Sequence, residues 1–457
     1  MSRDTSTTAL DTYAVLVTGA NSGVGFAICC RLIDEYLQRN LPHLVATRFV
    51  LIVTTRNQRK GSDTSQKLRQ HINNLCAKEE RRFPGITELW QPRVEVRAEI
   101  LDLTSIVSVQ GLAEKMLSDR STTGLQKLDA IICNAGIGGW TGVNYPKAIW
   151  NILTNWVDSV SYPSFKTAGI GWVTRSQVVS EESRGQKSSP LKVDTEPPLG
   201  EVFCANVFGH YLLGYYLGPL LSTPSRHHPA RIIWMSSLEA YADQFHLEDF
   251  QGLKTKWAYE SSKRLTDVLA LTSEMPSVSR WIDSYTSSPN ASQTMSKADS
   301  RTTRPCLVRP KQYLAHPGIC ATGILPVPWW LEWAMTLALH AARWMGSPWH
   351  PVVAYLGAVA PVWLAMASAT SLEAMEETEG KGKWGSGTDP NGSECVRRMW
   401  VHGWGWGGKE QEKVLPGRRK GTEYATAQDR EAFEELGIAC WKEMEALRQE
   451  WHRLLFE

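Results

Sequence analysis

Residues 15–28 read VLVTGANSGVGFAI. A short β-rich run over 13–18 meets Gly19, Gly23 and Gly25, and the residues that follow, 26–36, have helical periodicity. Asn21 and Ser22 fall inside the same turn. Strand, tight turn and helix in that order let a glycine backbone approach a pyrophosphate, whose charge the helix N-terminus favours. The spacing is GxxxGxG rather than GxGxxG, so the glycines alone fit a structural turn equally well; the flanking strand and helix favour the binding site.

Outward from that turn, apolar runs at 49–54, 94–101, 128–133 and 231–235 read as further strands, separated by helical stretches such as 65–78 and 105–117. Strands alternating with helices predict right-handed βαβ units. The fold class is therefore α/β, a Rossmann-type doubly wound parallel sheet. The reading assigns one domain to 10–325, interrupted by polar insertions near 174–198 and 286–304, with a strand at 305–314 after the second. An apolar, Trp-rich extension follows at 326–370, then a Gly/Lys/Glu-rich loop at 371–425 and a terminal helix at 426–457.

The bulk properties remove several functions. Among 457 residues, Lys and Arg number 49 against 47 Asp and Glu, a net charge of +2 that offers nucleic acid no basic field. Nine cysteines without a CxxC pair suit a reducing compartment, and no metal site is expected. The first residues lack the basic and apolar pattern of a signal peptide, so the expectation is a chain that starts in the cytosol.

Polar residues cluster where parallel strands end. In TTRNQRK, Arg56 stands where an acidic residue would bond the 2′-hydroxyl of NAD, which argues for NADPH. Asp102 ends the third strand, and Asn134, Ala135 and Gly136 end the fourth. Asn206 lies in the helical ANVFGHYLL, and Ser236 and Ser237 end the fifth strand. In WAYESSKRL, Tyr259 and Lys263 lie one helical turn apart, so a cation sits beside a phenol and favours its ionised form.

Taken in order, TGANSGVG, CNAG, Asn206, the serine pair, YESSK and HPGICAT resemble the short-chain dehydrogenase/reductase family, over roughly 15–325. The resemblance implies that Tyr259 protonates a carbonyl oxygen while NADPH delivers hydride. It implies that Lys263 tunes the phenol and holds the nicotinamide ribose, that Ser237 bonds the same oxygen, and that Asn206 holds a water on the proton route. Pro317, Gly318 and Thr322 would lie beside the nicotinamide and its phosphates; His316 reads as structural.

The long insert between Ser237 and Tyr259, with HLEDFQ and YESSKRLTDVLAL, is similar to the 3-ketosteroid reductase group of that family, which implies a 3-keto sterol substrate. The same resemblance implies the cytosolic face of the endoplasmic reticulum or a lipid droplet, beside the other sterol C4-demethylation enzymes; the long polar insertions resemble those of filamentous fungi, which would make the pathway ergosterol synthesis. The extension contains no clean membrane span, and Trp329, Trp330, Trp333, Trp344 and Trp349 suit a membrane surface or a lid over substrate. The rival readings are a carbonyl reductase for retinal, a polyketide or a xenobiotic ketone, and a non-catalytic membrane scaffold.

Overall fold

The computed structural model describes residues 11–40, 47–120, 125–177, 196–222, 228–286, 308–321, 329–409 and 424–457. Thr322 and most of both polar insertions lie outside them. The strands are β1 Asp11–Val17, β2 Thr47–Thr55, β3 Val94–Ile100, β4 Ala130–Cys133, β5 Arg231–Met235, β6 Lys311–His316, β7 Lys383–Thr388 and β8 Glu394–Met399. They form one sheet in the order β8-β7-β6-β5-β4-β1-β2-β3; seven run parallel and β8 is antiparallel to β7.

Every residue of β4 and β5 is buried, as expected of central parallel strands covered on both faces. One face carries α1 Gly23–Asn40, α2 Gln58–Glu80 and α7 Val359–Met366. The other carries α3 Ile106–Ser118, α4 Gly209–Tyr216, α5 Ala258–Thr272 and α9 Ala427–Phe456. Two more helices, α6 Trp329–Trp344 and α8 Ala369–Glu379, flank α7 in sequence. After β3 the chain crosses to the far side of β1 to form β4. Ligands bind at the carboxyl ends of strands beside such a reversal.

The structure corrects three expectations. The strand expected at 305–314 occupies Lys311–His316. The loop expected at 371–425 holds most of α8 and then β7 and β8, which extend the main sheet, so the sheet does not end at 325. The Trp-rich extension is accordingly an insertion between β6 and β7, and its second half, α7, is core. Trp349 is buried and packs edge-on against His316, with ring centroids 4.9 Å apart, rather than facing a membrane.

Candidate active site

Gly19, Asn21, Ser22, Gly23, Gly25, Arg56, Asp102, Asn134, Ala135, Gly136, Ser237, Tyr259, Lys263, Pro317 and Gly318 line one cleft of about 630 Å³. The glycines are there for reasons of space. Gly19 has φ +65°, and a Cβ on Gly25 would stand 2.3 Å from the Gly19 carbonyl oxygen and 2.5 Å from Asn134 Nδ2. The turn is locked to the end of β4 by Thr18, whose hydroxyl accepts from the amides of Asn134 at 2.9 Å and Ala135 at 3.0 Å. The same hydroxyl lies 2.8 Å from His210 Nε2 and donates towards the Ile132 carbonyl at 3.3 Å, and His210 Nδ1 faces the Asn206 carbonyl at 3.3 Å. Burial, then the charge of Lys263, push His210 down to about 3, so it stays neutral.

Asn206 sits in a π-helical turn, Cys204–Phe208, just before α4, a deviation common at functional sites. Its carboxamide accepts from Ile137 N at 2.8 Å and donates to Ile137 O and Ser262 Oγ, each at 3.0 Å. Asp102 binds the amide and hydroxyl of Thr104 at 3.0 and 2.7 Å. Arg56 is exposed just beyond the end of β2, and Asn57 caps α2 by accepting from Lys60 N at 2.9 Å.

On α5, Lys263 Nζ donates to the Met235 carbonyl at 2.8 Å and lies 5.6 Å from the centre of the Tyr259 ring. Ser237 Oγ accepts from the Glu239 amide at 3.2 Å and faces the Tyr259 phenol, which it favours in the ionised form, whereas the Ser236 hydroxyl is buried and turned to Asp267. The electrostatics differ from the sequence expectation. Burial raises the phenol well above its ordinary value, Glu239 raises it further, and the Ser237 hydroxyl opposes both. It is Lys263 that is lowered, to about 8, chiefly by burial and then by Lys383.

The stretch between β4 and Asn206 builds a wall that sequence reasoning did not foresee. A hairpin of Trp140–Val143 and Lys166–Ala168 brings Trp140 to 4.9 Å from the Tyr259 ring and stacks Lys166 Nζ 4.0 Å over Trp140. Lys166 also pairs with both oxygens of Glu239 at 2.6 Å and lies 3.6 Å from Glu260. Burial pushes Glu260 up to about 7 against the pull of Lys166, with Glu239 adding to the rise. A lone lysine in an irregular insert carries no sequence signal for this; Tyr259 and Lys263 carried theirs in their spacing.

A doubly wound sheet with a glycine turn after β1, and a Ser-Tyr-Lys group at the ends of β5 and α5, defines a short-chain dehydrogenase/reductase. No protein-family model matches the chain. The 3-keto-steroid reductase of Aspergillus fumigatus is 42% identical over 97% of this chain and 95% of its own length. That of Gibberella zeae is 37% identical, over 96% and 94%. A solved short-chain dehydrogenase/reductase family protein is 14% identical, with a TM-score of 0.37 over 79% of this chain and 92% of that one. The chain belongs to the 3-keto-steroid reductase family.

Proposed function

We propose that the protein reduces the C3 ketone left after C4 demethylation of a sterol precursor to a 3β-hydroxyl, in ergosterol-type synthesis, with NADPH as reductant. The observation that carries this reading is the convergence of the Ser237 hydroxyl, the Tyr259 phenol and the Lys263 ammonium in one cleft of a chain from this family. The cleft suits a nicotinamide dinucleotide: a cradle that any Cβ at Gly25 would fill, the N-terminus of α1 beyond it, and exposed Arg56 at the end of β2 for a 2′-phosphate. When bound, the cofactor supplies the hydride.

The chain's own residues supply the rest. Tyr259 gives its proton to the carbonyl oxygen as the alcohol forms, and Ser237 holds that oxygen. A phenol held above its ordinary range keeps its proton at neutral pH, so the donor form is the resting form. Lys263, a cation below about pH 8, offsets the charge left on the phenol and holds the ribose. Asn206 holds the water through which Lys263 exchanges protons, and Asp102 and the Asn134–Gly136 turn seat the rest of the dinucleotide.

The substrate reaches the cleft from a bilayer at the cytosolic face of the endoplasmic reticulum or a lipid droplet, beside the other demethylation enzymes. Exposed apolar faces support this. On α6, Trp333, Leu337 and Trp344 form one outward stripe, and on the helix Tyr145–Thr154 the exposed large apolar side chains are Tyr145, Ile149, Trp150 and Leu153. Among the described residues no helix is long and apolar enough to cross a membrane.

The test is NADPH oxidation with a 4-methyl-3-ketosterol, wild type against Tyr259→Phe. The expected result is turnover by wild type and a loss of about 10²- to 10⁴-fold in the variant, with NADPH binding kept. Full activity of the variant would remove Tyr259 from the mechanism. A wild type that reduces retinal or polyketide ketones but not the sterol would replace the substrate. Cofactor binding without turnover of any ketone would favour the scaffold.

A further inference from the structure

Beneath the cleft lies an ion pair that no step above uses. Lys383 on β7 and Asp267 on α5 each have side chains only 1% exposed, with Nζ 2.7 Å from Asp267 Oδ2. The same ammonium donates to the Ser237 carbonyl at 2.6 Å. The other Asp267 oxygen accepts from the Ser236 hydroxyl, and the Ser236 amide donates to Ala315 on β6 at 2.7 Å. Asp267 is one turn beyond Lys263. One ion pair thus joins β7, the end of β5 that carries Ser237, and the helix that carries Tyr259 and Lys263.

Stability is a poor reason for such a pair. Stripping water from two charges costs about as much as their attraction returns, and apolar residues of similar volume are often as stable or more so. An apolar pair cannot grip the Ser237 carbonyl, however, and places no charge near Lys263.

We propose that Lys383, through its pair with Asp267, is a positioning residue for the reduction: it clamps the Ser237 peptide so that the hydroxyl meets the Tyr259 phenol, and its charge biases the proton balance of Lys263. The inference rests on the reductase reading. Lys263 is faced by Tyr259 and Asp267 from its own helix, Cys133 from β4, His210 from α4 and Lys383 from β7. Lys383 disfavours its proton and Asp267 favours it. Removing Lys383 therefore moves the alkaline limb of the kcat profile to higher pH, and removing Asp267 moves it to lower pH.

The experiment compares wild type, Lys383→Met, Asp267→Asn and the double variant Lys383→Met/Asp267→Leu on the same ketosterol. The double variant removes both charges at once, so it strands no buried charge and is expected to stay folded, with a urea midpoint lowered only by the partners that the Ser237 carbonyl and Ser236 hydroxyl lose. Its kcat should fall about 10- to 100-fold with the NADPH KM within about threefold, the effect of a misplaced group rather than of lost binding. The single variants should shift the alkaline limb in opposite directions, which a merely structural role would not do. Hydrogen exchange without ketone or cofactor should quicken at Leu238 and Glu239 in the double variant. If the single variants fail to fold, the double variant decides. A double variant with wild-type kcat, alkaline limb and exchange overturns the proposal. If wild type itself does not reduce the ketosterol, the reductase reading falls, while the exchange comparison still judges the clamp.

Discussion

Helices α6 and α7 come from one tryptophan-rich stretch between β6 and β7, yet they occupy opposite environments. On α7 Val359, Ala360, Pro361, Val362, Leu364 and Ala365 are all buried, against α1 and five strands of the sheet. On α6 the stripe of Trp333, Leu337 and Trp344 is 74%, 64% and 61% exposed. Tryptophan content cannot separate the two, but the pattern can: α6 carries Glu332, His340 and Arg343 among its apolar residues, whereas α7 has no polar side chain. A helix that is apolar all round has neighbours on every side, whereas one with a stripe has a single apolar neighbour, and on α6 none of the described residues covers that stripe. The outward stripe is the feature that a bilayer would complete.

The sharpest way to break this contrast is to truncate one leucine in each helix. Leu364→Ala, at a position 0% exposed, is expected to cost about 2–5 kcal/mol, while Leu337→Ala should stay within about 0.5 kcal/mol. Urea unfolding of the protein measures both. Equal losses would mean that α6 is held by protein after all, and the bilayer reading of its stripe would go.

The same contrast explains what could be read in the sequence. β1, β2, β4 and β5 were legible because buried parallel strands are continuous apolar runs, and β3, VEVRAEI at the opposite edge, because its apolar and charged residues alternate. β7 reads KWGSGT, and its glycines look like loop signals although packing demands them: a Cβ on Gly385 would stand 2.2 Å from His316 Nε2. β8 reads ECVRRM, an edge strand with only partial burial and two arginines. Close approach and edge position thus erased the strand pattern, and Lys383 vanished from view with it. In the site, Tyr259 and Lys263 were legible because one helix sets their spacing. Ser236 and Ser237 were left ambiguous, since only the distant Asp267 draws one hydroxyl away. Lys166, His210 and Lys383 meet partners on other elements, 73, 192 and 116 residues away, with no local pattern to mark them.

Arg56 tests whether an exposed residue can matter without a protein neighbour. It lies open at the end of β2, like the α6 stripe, and its proposed partner is a ligand phosphate. Arg56→Asp should raise the NADPH KM about 10- to 100-fold, the worth of one or two charge-assisted hydrogen bonds, and change the NADH KM much less. Steady-state kinetics with both cofactors decides it. Equal losses for the two would make Arg56 a solvated loop residue and leave the choice of cofactor open.

The smallest expected effect falls on the rim, where two separate inserts expose apolar faces beside the cleft that the first of them lines. On the helix Tyr145–Thr154 only Ala148 is buried, while Trp150 and Leu153 are 68% and 78% exposed. The next helix, Trp156–Ser161, packs against both this one and α6, and its Val160 and Ser161 line the cleft. If both faces enter one bilayer, Trp150→Ser/Leu153→Ser and Trp333→Ser/Leu337→Ser should each weaken vesicle binding about tenfold, since each removes apolar area worth roughly 25 cal/mol per Å². Their kcat on detergent-dispersed ketosterol should stay at the wild-type level, and only the rate on vesicle-borne substrate should fall. Loss from one helix alone would assign the bilayer to that insert and leave the other face to a protein partner. Vesicle binding unchanged in both would break the comparison, because an outward apolar stripe would then no longer mark where this protein meets lipid.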